Sequence, residues 1–195
     1  AYDWAVYTKT TSPAGWLKLN STDAYVGSTG IWGNEDPDSN VFYIGNDGQM
    51  NQSGEDFIAY CFTPVAGYSA FGSYTGNGST DGPFVYTGFR PRWVMIKNSS
   101  ANAVSAYGSW KIIDTTRDSY NGGNPAALYA NANYAEGKRG NGDSDTFTER
   151  LDLLSNGFKL GAASSYDIET NESGVTYIYA AFAENPFQAN GGLAR

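Results

Sequence analysis

Apolar and polar residues alternate in short bursts along this chain, and clusters of Gly, Asn, Ser and Pro separate the bursts. Short alternating runs bounded by turn residues read as β-strands. The pattern predicts strands at Asp3–Thr8, Trp16–Leu19, Val41–Gly45, Asp56–Thr63, Phe71–Thr75 and Phe84–Thr87. It predicts six more at Arg92–Lys97, Trp110–Asp114, Ala127–Ala130, Arg150–Leu154, Phe158–Leu160 and Thr176–Phe182. Residues 27–40 (GSTGIWGNEDPDSN) predict a loop, because turn-forming residues crowd there. Ala126–Ala135 comes nearest to a helical period, yet its apolar positions form no single stripe.

An internal duplication organises these elements. Asn51–Phe62 reads NQSGEDFIAYCF and Asn171–Phe182 reads NESGVTYIYAAF, at a constant offset of 120 residues. Asn, Ser, Gly, Ile and Phe recur at the same places. Upstream, WAVY at Trp4–Tyr7 matches WKII at Trp110–Ile113, and Leu17–Ala24 echoes Leu128–Ala135 with Asn20 set against Asn131. Duplication explains three landmarks in one order better than chance does. In each copy Asn-x-Ser-Gly predicts a tight turn with Gly54 or Gly174 at positive φ. The strand that follows is apolar on both faces near its end, the pattern of a central strand covered on each side.

The second copy is preceded by a block, Phe71–Asn98, that has no counterpart before the first. Residues 1–67 therefore predict the back half of a module and residues 68–187 a complete one, with a tail at 188–195. A half module leaves a sheet edge and an apolar face uncovered. Upstream residues, the second module or a neighbouring chain would cover them, and residue 1 is open to reading as a native, processed or truncated start.

Composition narrows the classes. Tyr 15, Phe 10 and Trp 5 supply core area in a chain of 195 residues and 21.0 kDa that is poor in aliphatic side chains. His is absent, which excludes His-based triads, His metal sites and a His pH switch. Cys61 is the single cysteine, so neither an intrachain disulfide nor a thiolate zinc site forms, and within FIAYCF it reads as a small buried hydrophobe. A net charge of −8 and a pI near 4.4 argue against nucleic acid as a partner. No apolar run approaches the roughly 20 residues of a membrane span, so no membrane insertion is expected.

The stretches FGSYTGNGSTDGPFVYTGFRPRWVMIKN (71–98), WKIID (110–114), LLSNGFKL (153–160) and SGVTYIYAAFAENPF (173–187), in that order, resemble a repeated module of tailed-phage tail-fibre and minor tail proteins. The resemblance implies an all-β fold, a concanavalin A-like or laminin-G-like jelly-roll β-sandwich, with one complete module and a partial preceding copy. It implies a virion structural protein in a tail fibre or other surface appendage, used for display or host attachment. Its expected partners are further copies of itself, other virion proteins and a host surface glycan. The alternatives are a carbohydrate-binding, lectin-like adhesin and a capsid decoration protein, with a glycan hydrolase behind them. The family brings no catalytic residue and no cofactor to carry over, so the chain is read as a non-enzyme.

Individual residues sharpen this picture. Glu149 and Asp152 form the nearest approach to a glycosidase pair, but three residues apart on a strand they face opposite ways. Asp143 and Asp145, in Asn141-Gly-Asp-Ser-Asp145, faintly resemble a calcium loop. Thr146 stands where the loop needs Gly, and a solvated hairpin is the simpler reading. Trp32 in GIWGNED and Tyr120 in DSYNGGNP are candidate rings for stacking on a sugar, set against a reading in which both fold back onto the core. Arg90 and Arg92 are too few to grip a polyanion and are expected to pair with carboxylates. Trp93 and Met95 are expected in the core.

Overall fold

The computed structural model describes residues 2–100, 108–117, 121, 126–136, 149–162 and 169–186. Within them the chain is an antiparallel all-β protein. The first 67 residues contribute β1 (Ala5–Val6), β2 (Gly15–Lys18) and β3 (Val26–Gly27), with single-turn helices α1 (Thr29–Trp32) and α2 (Gly48–Asn51). The remainder contributes β4 (Ser69–Thr75), β5 (Asp81–Tyr86), β6 (Pro91–Asn98), β7 (Lys111–Asp114), β8 (Leu128–Tyr129), β9 (Glu149–Leu154), β10 (Gly157–Ala162) and β11 (Thr176–Ala183).

Three sheets form, in the orders β1-β2-β3, β5-β10-β9 and β4-β11-β6-β7-β8. The last two face each other as a sandwich. Val94 and Ile96 on β6, Ile113 on β7, Tyr129 on β8 and Tyr177 and Ala181 on β11 meet Val85, Leu151, Leu153, Phe158 and Leu160 from the other sheet. Rings set the packing: Tyr74 stacks on Tyr177 with centroids 5.1 Å apart, and Phe158 meets Tyr74 and Tyr179 edge-on. Pro83 is tolerated in β5 because β5 is an edge strand.

β11 is the central strand that its apolar run predicts. It pairs antiparallel with β4 from Thr176↔Thr75 to Phe182↔Ser69 and with β6 from Tyr177↔Asn98 to Phe182↔Trp93. Tyr177, Tyr179 and Ala181 enter the sandwich core, while Ile178 and Phe182 point to the opposite, outer face of the sheet. The turn before it has Gly174 at φ 77°, and the matching turn in the first copy has Gly54 at φ 84°.

The duplication is visible in hydrogen bonds. β1 pairs with β2 through Ala5↔Lys18 and Val6↔Leu17, and β7 pairs with β8 through Lys111↔Tyr129 and Ile112↔Leu128. Asn20 Oδ1 accepts from the Trp4 N–H at 3.0 Å, and Asn131 Oδ1 accepts from the Trp110 N–H at 2.7 Å. Each Asn amide also donates to the residue before its Trp, to Asp3 Oδ1 at 3.0 Å and to Ser109 Oγ at 3.3 Å. The carbonyls of Trp4 and Trp110 accept from Leu19 and Ala130 in the same way. One clasp therefore closes the same hairpin twice.

The two copies pack through equivalent faces. Leu17, with Val6 and Leu19 beside it, lies on Trp110 and Ile178 of the second copy's outer face. Phe62 meets Phe182, its own counterpart, with ring centroids 5.9 Å apart. Polar bonds tie the seam: Trp110 Nε1 donates to the Lys18 carbonyl at 2.7 Å, and Tyr25 N donates to the Ser99 carbonyl at 3.1 Å. A small second core of Trp16, Ile31 and Trp32 fills the far side of β1 and β2.

Four expectations are corrected here. Among the described residues, Asp56–Thr63 and Val41–Gly45 belong to no sheet, although both carry strand-like sequence. Cys61 is exposed, because the segment around it is not buried between layers. Trp93 and Met95 lie on the outer face, Met95 against the Leu17–Trp110–Ile178 cluster, and Val94 and Ile96 take the sandwich-core positions. Residues 29–32 form a helical turn within the expected loop, held because Ile31 and Trp32 are buried.

The clasp gives a test. Asn131→Ala leaves the Trp110 N–H without its partner beneath a buried indole and is expected to cost about 1–2 kcal/mol of unfolding free energy. Asn20→Ala, where Trp4 is exposed and water can substitute, is expected to cost less than half of that. Urea denaturation of both variants checks the order.

Candidate functional site

The surface chemistry concentrates where residues 56–62 run over the outer face of the five-stranded sheet. Phe62 meets Phe71 and Phe182, and Phe182 is also met by Tyr68 and Trp93, with centroid distances of 5.6–6.2 Å. β4, β6 and β11 each supply one ring to this platform because Phe71, Trp93 and Phe182 share one face of adjacent strands. Phe62 is 68% exposed, so the platform opens to solvent on its near side. A partly open aromatic cluster of this kind is a candidate interaction surface.

A cleft of about 370 Å³ lies beside the platform, lined by Trp4, Leu19, Asn20, Tyr60 and Ala130. Trp4 and Tyr60 stack at 6.3 Å with 27° between their planes, and both are largely exposed. The Asn20 clasp holds Trp4 in place. Its amide, helped by Lys18, also holds the Asp3 carboxyl below the usual carboxylate range. The cleft thus sets two flat rings beside the Asn20 amide, with Leu19 and Ala130 completing an apolar lining able to take the apolar face of a sugar or a peptide side chain.

Under the seam between copies sits Lys97, fully buried on β6. Its ammonium donates to the carbonyls of Thr22, at 3.0 Å, and Gly108, and lies 6.0 Å from the Trp110 ring. Gly108 is required there, since a Cβ would come within 2.1 Å of the Thr22 oxygen. Burial lowers the Lys97 pKa to about 8, with Asp23 pulling weakly the other way. A second buried cation, Lys111, forms an ion pair with Glu169.

The residues singled out in the sequence fall as follows. Trp32 is only 7% exposed and packs with Trp16, Ile31 and the edge of Tyr7. Tyr120, Asp143 and Asp145 lie outside the described residues. Glu149 and Asp152 both lie on β9, three residues apart. The Asp152 carboxylate is buried, takes Arg150 Nη2 at 2.7 Å, and leaves its Oδ1 without a hydrogen-bond partner. Arg90 pairs with Glu184 at 2.8 Å as expected, whereas Arg92 donates to the Thr116 hydroxyl. Among the described residues no group of three or more acidic or thiol side chains is placed to hold a metal ion, and no helix is long and apolar enough to cross a membrane. Sequence reasoning missed Trp4, Asn20 and Tyr60 as neighbours. The pairing of Asn20 with Asn131 in the duplication was the one signal pointing toward them.

Fold and surface together define an antiparallel β-sandwich protein with an open aromatic face. The chain belongs to the DUF7483 family, a domain of unknown function, which matches residues 1–186 and so spans both copies. No curated protein and no solved structure matches the chain.

The buried lysine gives a prediction with a defined sign. Below about pH 8 Lys97 is charged in folded and unfolded chains alike, and the cost of burying the charge is present in full. Between about pH 8 and the ordinary lysine value of 10.5 the unfolded chain binds more protons, so unfolding free energy is expected to rise with pH, by up to about 3 kcal/mol. Urea unfolding from pH 7.5 to 10.5 checks this. Lys97→Met, which has no proton to lose, should flatten that rise.

Proposed function

We propose that this protein is a structural component of a tailed-phage virion, part of a tail fibre or another surface appendage, and that it serves display or host attachment. The observation that carries the reading is the repeated module: one Asn–Trp clasp closes two hairpins, and the copies meet through the same face. The jelly-roll class, implied by the resemblance of residues 71–187 to tail-fibre modules, fits chain segments that pass between two facing antiparallel sheets. Attachment would then come from surface aromatics presented on many copies of the whole chain, where weak contacts multiply.

A glycan is favoured as the attachment target by one feature, the cleft of Trp4, Tyr60 and Asn20. Aromatic rings stack on the apolar C–H faces of sugars, and Trp4 and Tyr60 present two such rings largely open to solvent.

Two measurements test the reading. Gold-labelled antibody raised against the chain is expected to decorate the tail or its appendages in purified particles of the encoding phage. Decoration of the head would move the protein to a capsid-decoration role, and its absence from particles would defeat the proposal. On a glycan array the chain is expected to bind a host-envelope sugar with a millimolar to micromolar Kd, weakened at least tenfold by Trp4→Ala with Tyr60→Ala. An unchanged or absent signal would leave protein contact as the attachment mode.

A further inference from the structure

Residues 56–62 are the duplicate of β11, yet the two copies live in opposite surroundings. Ile178 is 3% exposed and its counterpart Ile58 is 71% exposed; Tyr177 is fully buried and its counterpart Phe57 is 45% exposed. β11 is hydrogen bonded on both edges, to β4 and to β6. Among the described residues, no backbone group of residues 56–62 has a hydrogen-bond partner. An apolar, unpaired segment with strand-like sequence is the signature of a strand whose neighbours are elsewhere.

Two further features point to the same missing neighbours. β7 pairs with β8 on one edge and with β6 on the other, whereas among the described residues its duplicate β1 pairs only with β2. Asn171, fully buried, ties down the start of the front block: its Oδ1 accepts from Asn77 N at 2.9 Å and its amide donates to the Ser79 carbonyl at 2.9 Å. Its duplicate Asn51 is exposed and donates to the Gly45 carbonyl instead. The edge of β1, both edges of residues 56–62 and Asn51 all lack what Ser69–Asn98 provides in the second copy.

We infer that β1 and residues 56–62 form an open docking site for a module front. The occupant is a polypeptide segment with strands of the β4 and β6 type, antiparallel and apolar on alternate residues as in Trp93-Val94-Met95-Ile96. It adds to the sheet by backbone pairing, with side-chain register setting specificity. Residues 1–195 carry one front block and two positions that take one, and β11 already holds it, so the occupant is a front block other than Phe71–Asn98 of the same chain. Any exchange between copies of this chain empties one position to fill another. Strand addition leaves Trp4 and Tyr60 on the outer sheet face, because their counterparts Trp110 and Ala180 lie on that face.

The test supplies the front. A second copy of residues 68–106 is joined ahead of residue 1, matching the spacing before Trp110, and hydrogen exchange is followed at residues 56–62 of the full chain. At least 100-fold slower exchange is expected there, with none when Pro replaces the added copies of Val94 and Ile96. A synthetic peptide of residues 89–99, added in trans to the unmodified chain, is expected to protect the same amides saturably, and Ile58→Asp is expected to abolish that protection. Fast exchange with both the fused front and the peptide would overturn the inference. So would protection of the unmodified chain that grows with its own concentration, since a second copy would then be the occupant.

Discussion

The two-sided burial of β11 is the constraint on which this architecture rests. A strand apolar on both faces is soluble only when a layer covers each of them. The sandwich core covers Tyr177 and Ala181, and the first copy's hairpin covers Ile178 through Leu17. Removing the first 67 residues would therefore strip the outer face of the complete module, and the position of Trp110, Lys97 and Met95 follows from that one requirement. The buried ammonium of Lys97 is tolerated because it satisfies two carbonyls that the close approach of Thr22 and Gly108 would otherwise leave unpaired.

Much of the fold was legible from local pattern. Strands in the second copy, the glycine turns and the central role of Thr176–Phe182 all follow from alternation and turn chemistry, which act over a few residues. Faces were harder to assign. In Arg92–Lys97 both parities are apolar, and only the presence of a second layer decides that Val94 and Ile96 enter the sandwich while Trp93 and Met95 face outward. Trp32 illustrates the reverse case: a loop-like sequence folds into one helical turn because its ring has a pocket to fill.

Residues 56–62 mark the limit of that reading. Their sequence specifies a strand, and every local rule was satisfied, but a strand needs partners that sequence alone does not place. The misreading of Cys61 as buried has the same origin. The surface cleft was invisible for a related reason: Trp4, Asn20 and Tyr60 are far apart in the chain, the first two joined by the hairpin clasp and the third brought in by stacking on Trp4. A pattern search along the sequence has no access to that proximity; the match of Asn20 with Asn131 marked equivalent positions, and only the structure shows the clasp they form.

The meeting of Phe62 with Phe182 has an evolutionary consequence. A patch that binds its own twin serves as both halves of an interface, so any change to it is tried on two sides at once. Doubling the coding segment of such a unit brings the complete interface with it, already complementary, and no compensating substitutions have to arise before the tandem form holds together.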